Sequence, residues 1–199
     1  MSVKRSVYGV GINDAVHNIV KFAIVGGKRK QVWLCPFYST WRGMLKRCYC
    51  KKEHQRYPTY KCCSVCDEWL IFSNFKAWME KQDWEGKHLD KDLLVINNKC
   101  YSPDHCIFVD HKINIFVTDS GGARGEYMIG VSWHKASGKF RASCGNPFTG
   151  RYEHLGLFTT ELEAHLVWKT RKHQLACELA DSDLVTDERL AEALRNRYK

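Results

Sequence analysis

The sequence predicts an α+β protein in two parts. The N-terminal part follows a ββα order, and the C-terminal part is a three-stranded antiparallel sheet packed on one helix. Three observations predict this. From Lys87 to Phe116 the chain reads as strand, polar loop, strand and helix. From Ile129 to Ala176 three short β-like runs precede one amphipathic stretch. Between them the polar, glycine-rich segment from Thr118 to Gly125 reads as a linker. The expected limits are 1–117 for the first domain, 118–126 for the linker, 127–180 for the sheet and helix, and 181–199 for a C-terminal tail or helix.

The N-terminal elements follow from local patterns. Tyr8 to Ile12 and Val32 to Leu34 read as strands, with Gly26-Gly27-Lys28 as a turn between β-like segments. Trp41, Met44, Leu45 and Cys48 fall at i, i+3, i+4 and i+7, which predicts a helix from about Tyr38 to Tyr49. Ile71, Phe72, Phe75, Trp78 and Met79 predict a second helix, from about Asp67 to Lys81, with these side chains in the core. Strands are expected at Leu89–Leu93 and Cys106–Val109, separated by a loop through Asn97-Asn98, with a helix over Asp110–Phe116.

In the C-terminal part, the turn Ala136-Ser137-Gly138 joins the first two runs, and Pro147 with Gly150 opens the second connection. Alternation along Val131, Trp133, Lys135 and along Lys139, Arg141, Ser143 is expected to put cations and an indole on one sheet face. Thr160 with Glu163 forms a capping box that starts the helix, whose expected buried stripe is Ala164, Val167, Trp168, Leu175 and Leu179. Val185 to Tyr198 reads as a short terminal helix.

Composition bounds the function. With 199 residues, 44% hydrophobic and 13% aromatic, the chain is globular, and no apolar run approaches membrane-spanning length. The opening MSVKRSVYGVG lacks the apolar core of a secretory signal, so the ten cysteines are expected to be reduced in a cytoplasm. The net charge is +9, and residues 1–60 carry 12 Lys/Arg against only Asp14 and Glu53. Residues 178–192 run the other way, with six carboxylates against Arg189. A basic body of this kind suits a polyanion such as double-stranded DNA; no small-molecule substrate is evident.

The runs GVSWHKASGKFRA and HLGLFTTELEAHLVW resemble the plant ethylene-response-factor (APETALA-type) DNA-binding domain, over about fifty positions. That domain is a three-stranded sheet plus helix that reads the major groove. The resemblance puts Trp133, Lys135, Lys139, Arg141, Arg151 and His154 on the DNA face. The alternative for Trp133 is a core aromatic, and for the cations ordinary solvated strand residues.

The segment KHLDKDLLVINNKCYSPDHCIFVDHKINIF, with WRGMLKRCY and VCDEWLIFSNFKAWM upstream, resembles the HNH (His-Me finger) endonuclease family in the form found in phages and mobile elements. There such a domain often accompanies the C-terminal module, so the two resemblances support one architecture. The family chemistry uses one divalent ion, here Mg²⁺ or Mn²⁺, to polarise the scissile phosphate. By resemblance Asp90 takes the first metal-ligand place, Asn114 the helix-ligand place, and His105 the place of a residue that orients the base.

The base position itself is Lys91, where the family has histidine. A lysine titrates near about 10.4, and Asp90 and Asp92 on either side favour its charged form. His88 and His111 are the substitute bases within the segment. A cutting endonuclease and a DNA-binding protein that has lost the chemistry both fit the residues, and a phage protein acting on a host factor is a third reading. Cys63-x-x-Cys66 has zinc-knuckle spacing, with Cys48, Cys50, Cys100 and Cys106 as possible partners for a structural Zn²⁺. A single such pair is equally a pair of core thiols.

Overall fold

A computed structural model describes residues 6–118 and 125–199. The expected linker falls mostly on 119–124, outside the described residues. The chain divides into two compact units, 1–108 and 109–199. Each is a mixture of helices and small sheets, so the fold is α+β. Among the described residues no helix is long and apolar enough to cross a membrane.

The first unit opens with strands β1 (Ser6–Val7) and β2 (Gly11–Ile12), then a hairpin of β3 (Val20–Val25) and β4 (Lys28–Leu34). Helix α1 (Pro36–Tyr49) follows, with Pro36 in the first turn, where a missing N–H costs nothing. Its Trp41, Met44, Leu45 and Cys48 are all buried, as the spacing predicts. The Trp41 indole N–H donates to the Trp69 carbonyl at 2.6 Å.

After α2 (Lys51–Arg56) and β5 (Ser64–Val65), the expected helix over 67–81 is broken in two. Asp67–Leu70 is a 3₁₀ turn, Ile71 is extended, and α3 runs Phe72–Met79. Two tertiary interactions override the periodicity. Ile71 forms a parallel bridge to Ile12, and Asp14 accepts hydrogen bonds from the Ser73 N–H (2.9 Å) and hydroxyl (2.6 Å), which starts α3 afresh. Phe72, Phe75 and Met79 are buried, and Trp69 meets Phe75 edge-on at 5.1 Å, within an aromatic core.

Strand β6 (His88–Asp90) forms a two-stranded sheet with β8 (Ile107–Val109), while β7 (Cys100–Tyr101) pairs parallel to β5. The sequence pattern carries the first of these strands on to Leu93. It stops at Asp90 because that carboxylate accepts the N–H groups of Asp92 and Leu93, both at 2.8 Å, and so turns the backbone.

In the second unit, α4 (His111–Val117) starts at Asp110, whose carboxylate accepts the Lys112 N–H at 2.7 Å. Its last carbonyls are met by cations. Lys172 Nζ donates to the Phe116 carbonyl at 2.6 Å and lies 3.5 Å from the Phe116 ring centroid, and an Arg197 guanidinium N–H donates to the Val117 carbonyl at 3.4 Å. Burial pushes the Lys172 amine down to about 8.

Strands β9 (Val131–His134), β10 (Lys139–Gly145) and β11 (Tyr152–Phe158) make an antiparallel sheet in the order β11-β10-β9. It packs on α5 (Glu161–Ala180), which begins with the predicted capping box of Thr160 and Glu163. Ala164, Trp168, Leu175 and Leu179 of the expected stripe are buried, and Val167 is half-buried. Gly130 is required where it stands. Its φ is +80°, and a Cβ there would lie 2.0 Å from the Trp168 ring. The terminal helix forms as α6 (Glu188–Asn196), shorter than expected, and packs against α5 through buried Leu190, Ala191 and Leu194.

Candidate functional site

The strand register decides which side chains share the outer face of the β9–β11 sheet, the face away from α5. Arg141 lies opposite Ser132, and Lys139 opposite His134. Directly opposed residues project on the same side of a sheet. Thus Ser132 and His134, not Val131 and Trp133, stand beside the two β10 cations. On the other edge Arg141 faces Leu157. A bulge between Ala142 and Ser143 then brings Ser143 opposite His154, and Gly145 faces Tyr152. The outer face therefore gathers His134, Lys139, Arg141, Tyr152 and His154. A groove of about 640 Å³ runs over it, lined by His134, Arg141, Ser143, Tyr152, Glu153, His154 and Leu157.

This register corrects two of the expected DNA-face residues. Trp133 sits on the α5 side, edge-on to Phe140 at 4.9 Å between centroids, although it remains 42% exposed. Lys135 is not in a strand at all but in the turn 135–138. Alternation within each strand is as expected. The four-residue turn between β9 and β10 sets the phase between them, and that phase inverts the β9 assignment. Lys139, Arg141 and His154 are on the outer face as expected. Arg151 is exposed in the turn before β11, where its carbonyl accepts the Asn146 N–H at 2.8 Å. His134 and Tyr152 join the face without any signal in their own strands. The cross-strand phase is what identifies both.

The cations on this face are held open. Arg141 Nε donates to the Ser132 hydroxyl at 3.2 Å, which fixes the stem and leaves the guanidinium tip free to reach outward. His134 Nδ1 lies 2.8 Å from the Ser137 hydroxyl. Among the described residues no carboxylate pairs with Lys139 or Arg141. The acid that lines the groove, Glu153, is already neutralised from behind. Arg171 of α5 grips it with two hydrogen bonds (2.7 and 3.0 Å), Asn146 donates a third at 2.6 Å, and together they lower its carboxyl to about 2.

In the first unit, Asp90 ends β6. One oxygen, Oδ1, is oriented by the two backbone N–H groups that end the strand, while Oδ2 accepts no hydrogen bond among the described residues. Burial raises the carboxyl above its ordinary range, against the pull of those two N–H groups. A carboxylate with one oxygen fixed and the other open suits a hard cation such as Mg²⁺ or Mn²⁺, which keeps most of its waters.

Lys91 does not fit the base position. Only 4% exposed, its ammonium is bound by the Asp92 carboxylate and by the Asn98 carbonyl at 2.8 Å. Asn98 returns the interaction, donating to the Lys91 and Cys100 carbonyls at 2.8 and 2.7 Å. Lys91 is thus a latch across the loop from Asp92 to Asn98. His105 sits in the turn after Ser102, with Nδ1 2.9 Å from the Ser102 hydroxyl, and His88 is exposed on β6. Asn114 and His111 lie on α4, which belongs to the second unit.

The cysteines expected at a zinc site do not form a ligand set. Cys48, Cys63 and Cys106 are buried and Cys66 half-buried, and all are free thiols. Burial pushes both Cys48 and Cys106 up to about 12, and Cys63 donates to the Thr59 carbonyl at 3.8 Å. Among the described residues no group of three or more His, Cys, Asp or Glu is arranged to hold a metal ion. In comparisons, no protein-family model, no curated protein and no solved structure matches the chain.

Proposed function

We propose that this protein binds double-stranded DNA through the outer face of the β9–β11 sheet. The observation that carries the reading is the register-defined cluster of Lys139, Arg141, His134 and His154, with Tyr152 among them and the neighbouring Glu153 neutralised from behind. Cations presented on a sheet backed by a helix neutralise phosphates without first having to be ordered, and an aromatic among them can pack on sugar or base. Arg141→Ala is expected to weaken duplex binding about tenfold, as for removal of one good DNA-binding side chain, with the thermal melt unchanged. Unaltered affinity in the folded variant contradicts the assignment.

The first unit extends this reading to metal-dependent phosphodiester hydrolysis of the HNH type. Asp90 would hold the ion, which would polarise the scissile phosphate. Asp90 fits that task on its own geometry. The Lys91 ammonium is sequestered by Asp92 and Asn98, which leaves His88 as the candidate base, with His105 to orient it by the family resemblance. That sequestration also favours a second reading, a DNA-binding protein that grips the duplex without cutting. Plasmid nicking with Mg²⁺ or Mn²⁺ separates the two. Nicking abolished in Asp90→Ala supports the endonuclease, and no nicking by a protein that binds DNA supports the second reading. Lys91→Ala is expected to lower stability by on the order of 2 kcal/mol through the broken loop latch, which a thermal melt would register.

A further inference from the structure

The hairpin of β3 and β4 has no place in the reading above. Every residue from Lys21 to Trp33 is exposed, and the aromatic core of the first unit includes nothing between Val20 and Leu34. An isolated two-stranded ribbon is marginal in water. This one also leaves Phe22, Ile24, Val25, Val32 and Trp33 in solvent.

Its charge is one-sided. Lys21, Lys28, Arg29 and Lys30 face no carboxylate within the hairpin, and the nearest acids in sequence are Asp14 and Glu53. None of the four takes part in an ion pair among the described residues. The register sorts them. Lys21 opposite Trp33, Ala23 opposite Lys30 and Val25 opposite Lys28 share one face, while Phe22 opposite Gln31 and Ile24 opposite Arg29 share the other. The side-chain packing agrees with this sorting. Lys21 Nζ lies 5.2 Å from the Trp33 ring centroid on the first face, and the Arg29 guanidinium lies 4.2 Å from the Phe22 centroid on the second. The ribbon therefore has a lysine face, tipped by the Gly26-Gly27 turn, in which both glycines take positive φ (60° and 72°).

We propose that the β3–β4 hairpin is a second DNA-binding element, a ribbon whose lysine face lies along the phosphates of a duplex. This rests on the reading that the chain binds duplex DNA, but not on the sheet of the second unit. Three observations favour DNA over other occupants. The first is four cations in an acid-free segment, none of them in an ion pair among the described residues. The second is three lysines on one face, with Lys28 and Lys30 two residues apart on β4 and Lys21 on β3. The third is size, since a two-stranded ribbon fits the major groove, which is about 12 Å wide. The exposed Val25 and Trp33 side chains on the lysine face leave water when the duplex closes on them.

The test uses the full chain and a 30-bp duplex, with the triple variant Lys21→Gln, Lys28→Gln, Lys30→Gln and the matching triple Lys→Arg. Binding is followed by fluorescence anisotropy across salt concentrations. Each phosphate no longer neutralised lowers the slope of log K against log salt by about 0.9. The Gln variant is therefore expected to show a slope smaller by about 3, while the Arg variant keeps the full slope. Vesicles of phosphatidylcholine with one quarter phosphatidylserine form the second arm. Duplex binding by the Gln variant equal to wild type, in slope and affinity, overturns the proposal. Weakened vesicle binding with duplex binding intact overturns it in favour of a membrane surface. If the wild type binds no duplex, this proposal and the DNA reading fall together. If Arg141→Ala weakens binding and the Gln variant does not, the hairpin proposal falls alone.

Discussion

The β3–β4 hairpin and the β9–β11 sheet are both basic, aromatic and antiparallel, yet they are stabilised in opposite ways. The sheet buries Ala142 and Cys144 against α5, and the acid in its groove is neutralised by Arg171. The hairpin has no buried residue from Lys21 to Trp33, and cation–ring packing is its main side-chain interaction. One surface is preorganised by a hydrophobic backing, so the strands that carry its cations are fixed. The other is ordered only by its backbone ladder and turn. The comparison teaches that charge alone does not define a binding face. What the charge is mounted on sets how much of its binding energy goes into ordering the protein.

Breaking the backing of the sheet gives the largest expected effect. Gly130→Ala places a methyl against the Trp168 ring at a positive φ, and each of these faults costs about 1–3 kcal/mol. A destabilisation on the order of 3 kcal/mol in chemical denaturation, or failure of the second unit to fold, is expected. A stability within about 0.5 kcal/mol of wild type would show that α5 does not set the sheet geometry.

The next effect is pH-dependent. The Arg171 pairing holds Glu153 at about 2 against an ordinary 4.5, so its contribution to stability is fully present above pH 4.5. That contribution is lost as pH falls through the interval from 4.5 to about 2, because the unfolded chain binds the proton first. Glu153→Gln is expected to flatten the acid limb of the stability profile over this interval. An unchanged limb would mean the pair does not brace β11 against α5. The smallest effect belongs to the hairpin. Phe22→Ala is expected to change stability by no more than about 0.5 kcal/mol, since the exposed ring packs chiefly on Arg29. A larger change would place the hairpin in a core and remove the contrast.

Much of this is legible in the chain, and the parts that are not share a cause. Trp41, Met44, Leu45 and Cys48 announce α1, and Thr160 with Glu163 announces the start of α5, because helix periodicity and caps are local. The break at Ile71 is hidden, since Ile12 and Asp14, nearly sixty residues away, impose it. The face of Trp133 is hidden too, because alternation gives each strand's sides but not the phase across a turn. The acidic neighbours of Lys91 are plain in the sequence, yet its role as a latch depends on Asn98, a partner that the sequence does not mark. The hairpin is visible in part, as a glycine turn before Val32–Leu34. Its exposure is not, because Phe22 and Ile24 are apolar residues in β-like runs, and what packs on them is decided by the rest of the fold.

The outer face of the β9–β11 sheet is the proposed binding face for duplex DNA. Its most direct test is an anisotropy titration of one duplex, over a range of salt from about 50 to 300 mM, with the wild type and the Lys139→Ala/Arg141→Ala double variant. The expected result is salt-sensitive binding by the wild type, with a slope lower by about 2 and a weaker affinity in a double variant that melts normally. Equal affinity and slope for the two proteins would contradict the claim.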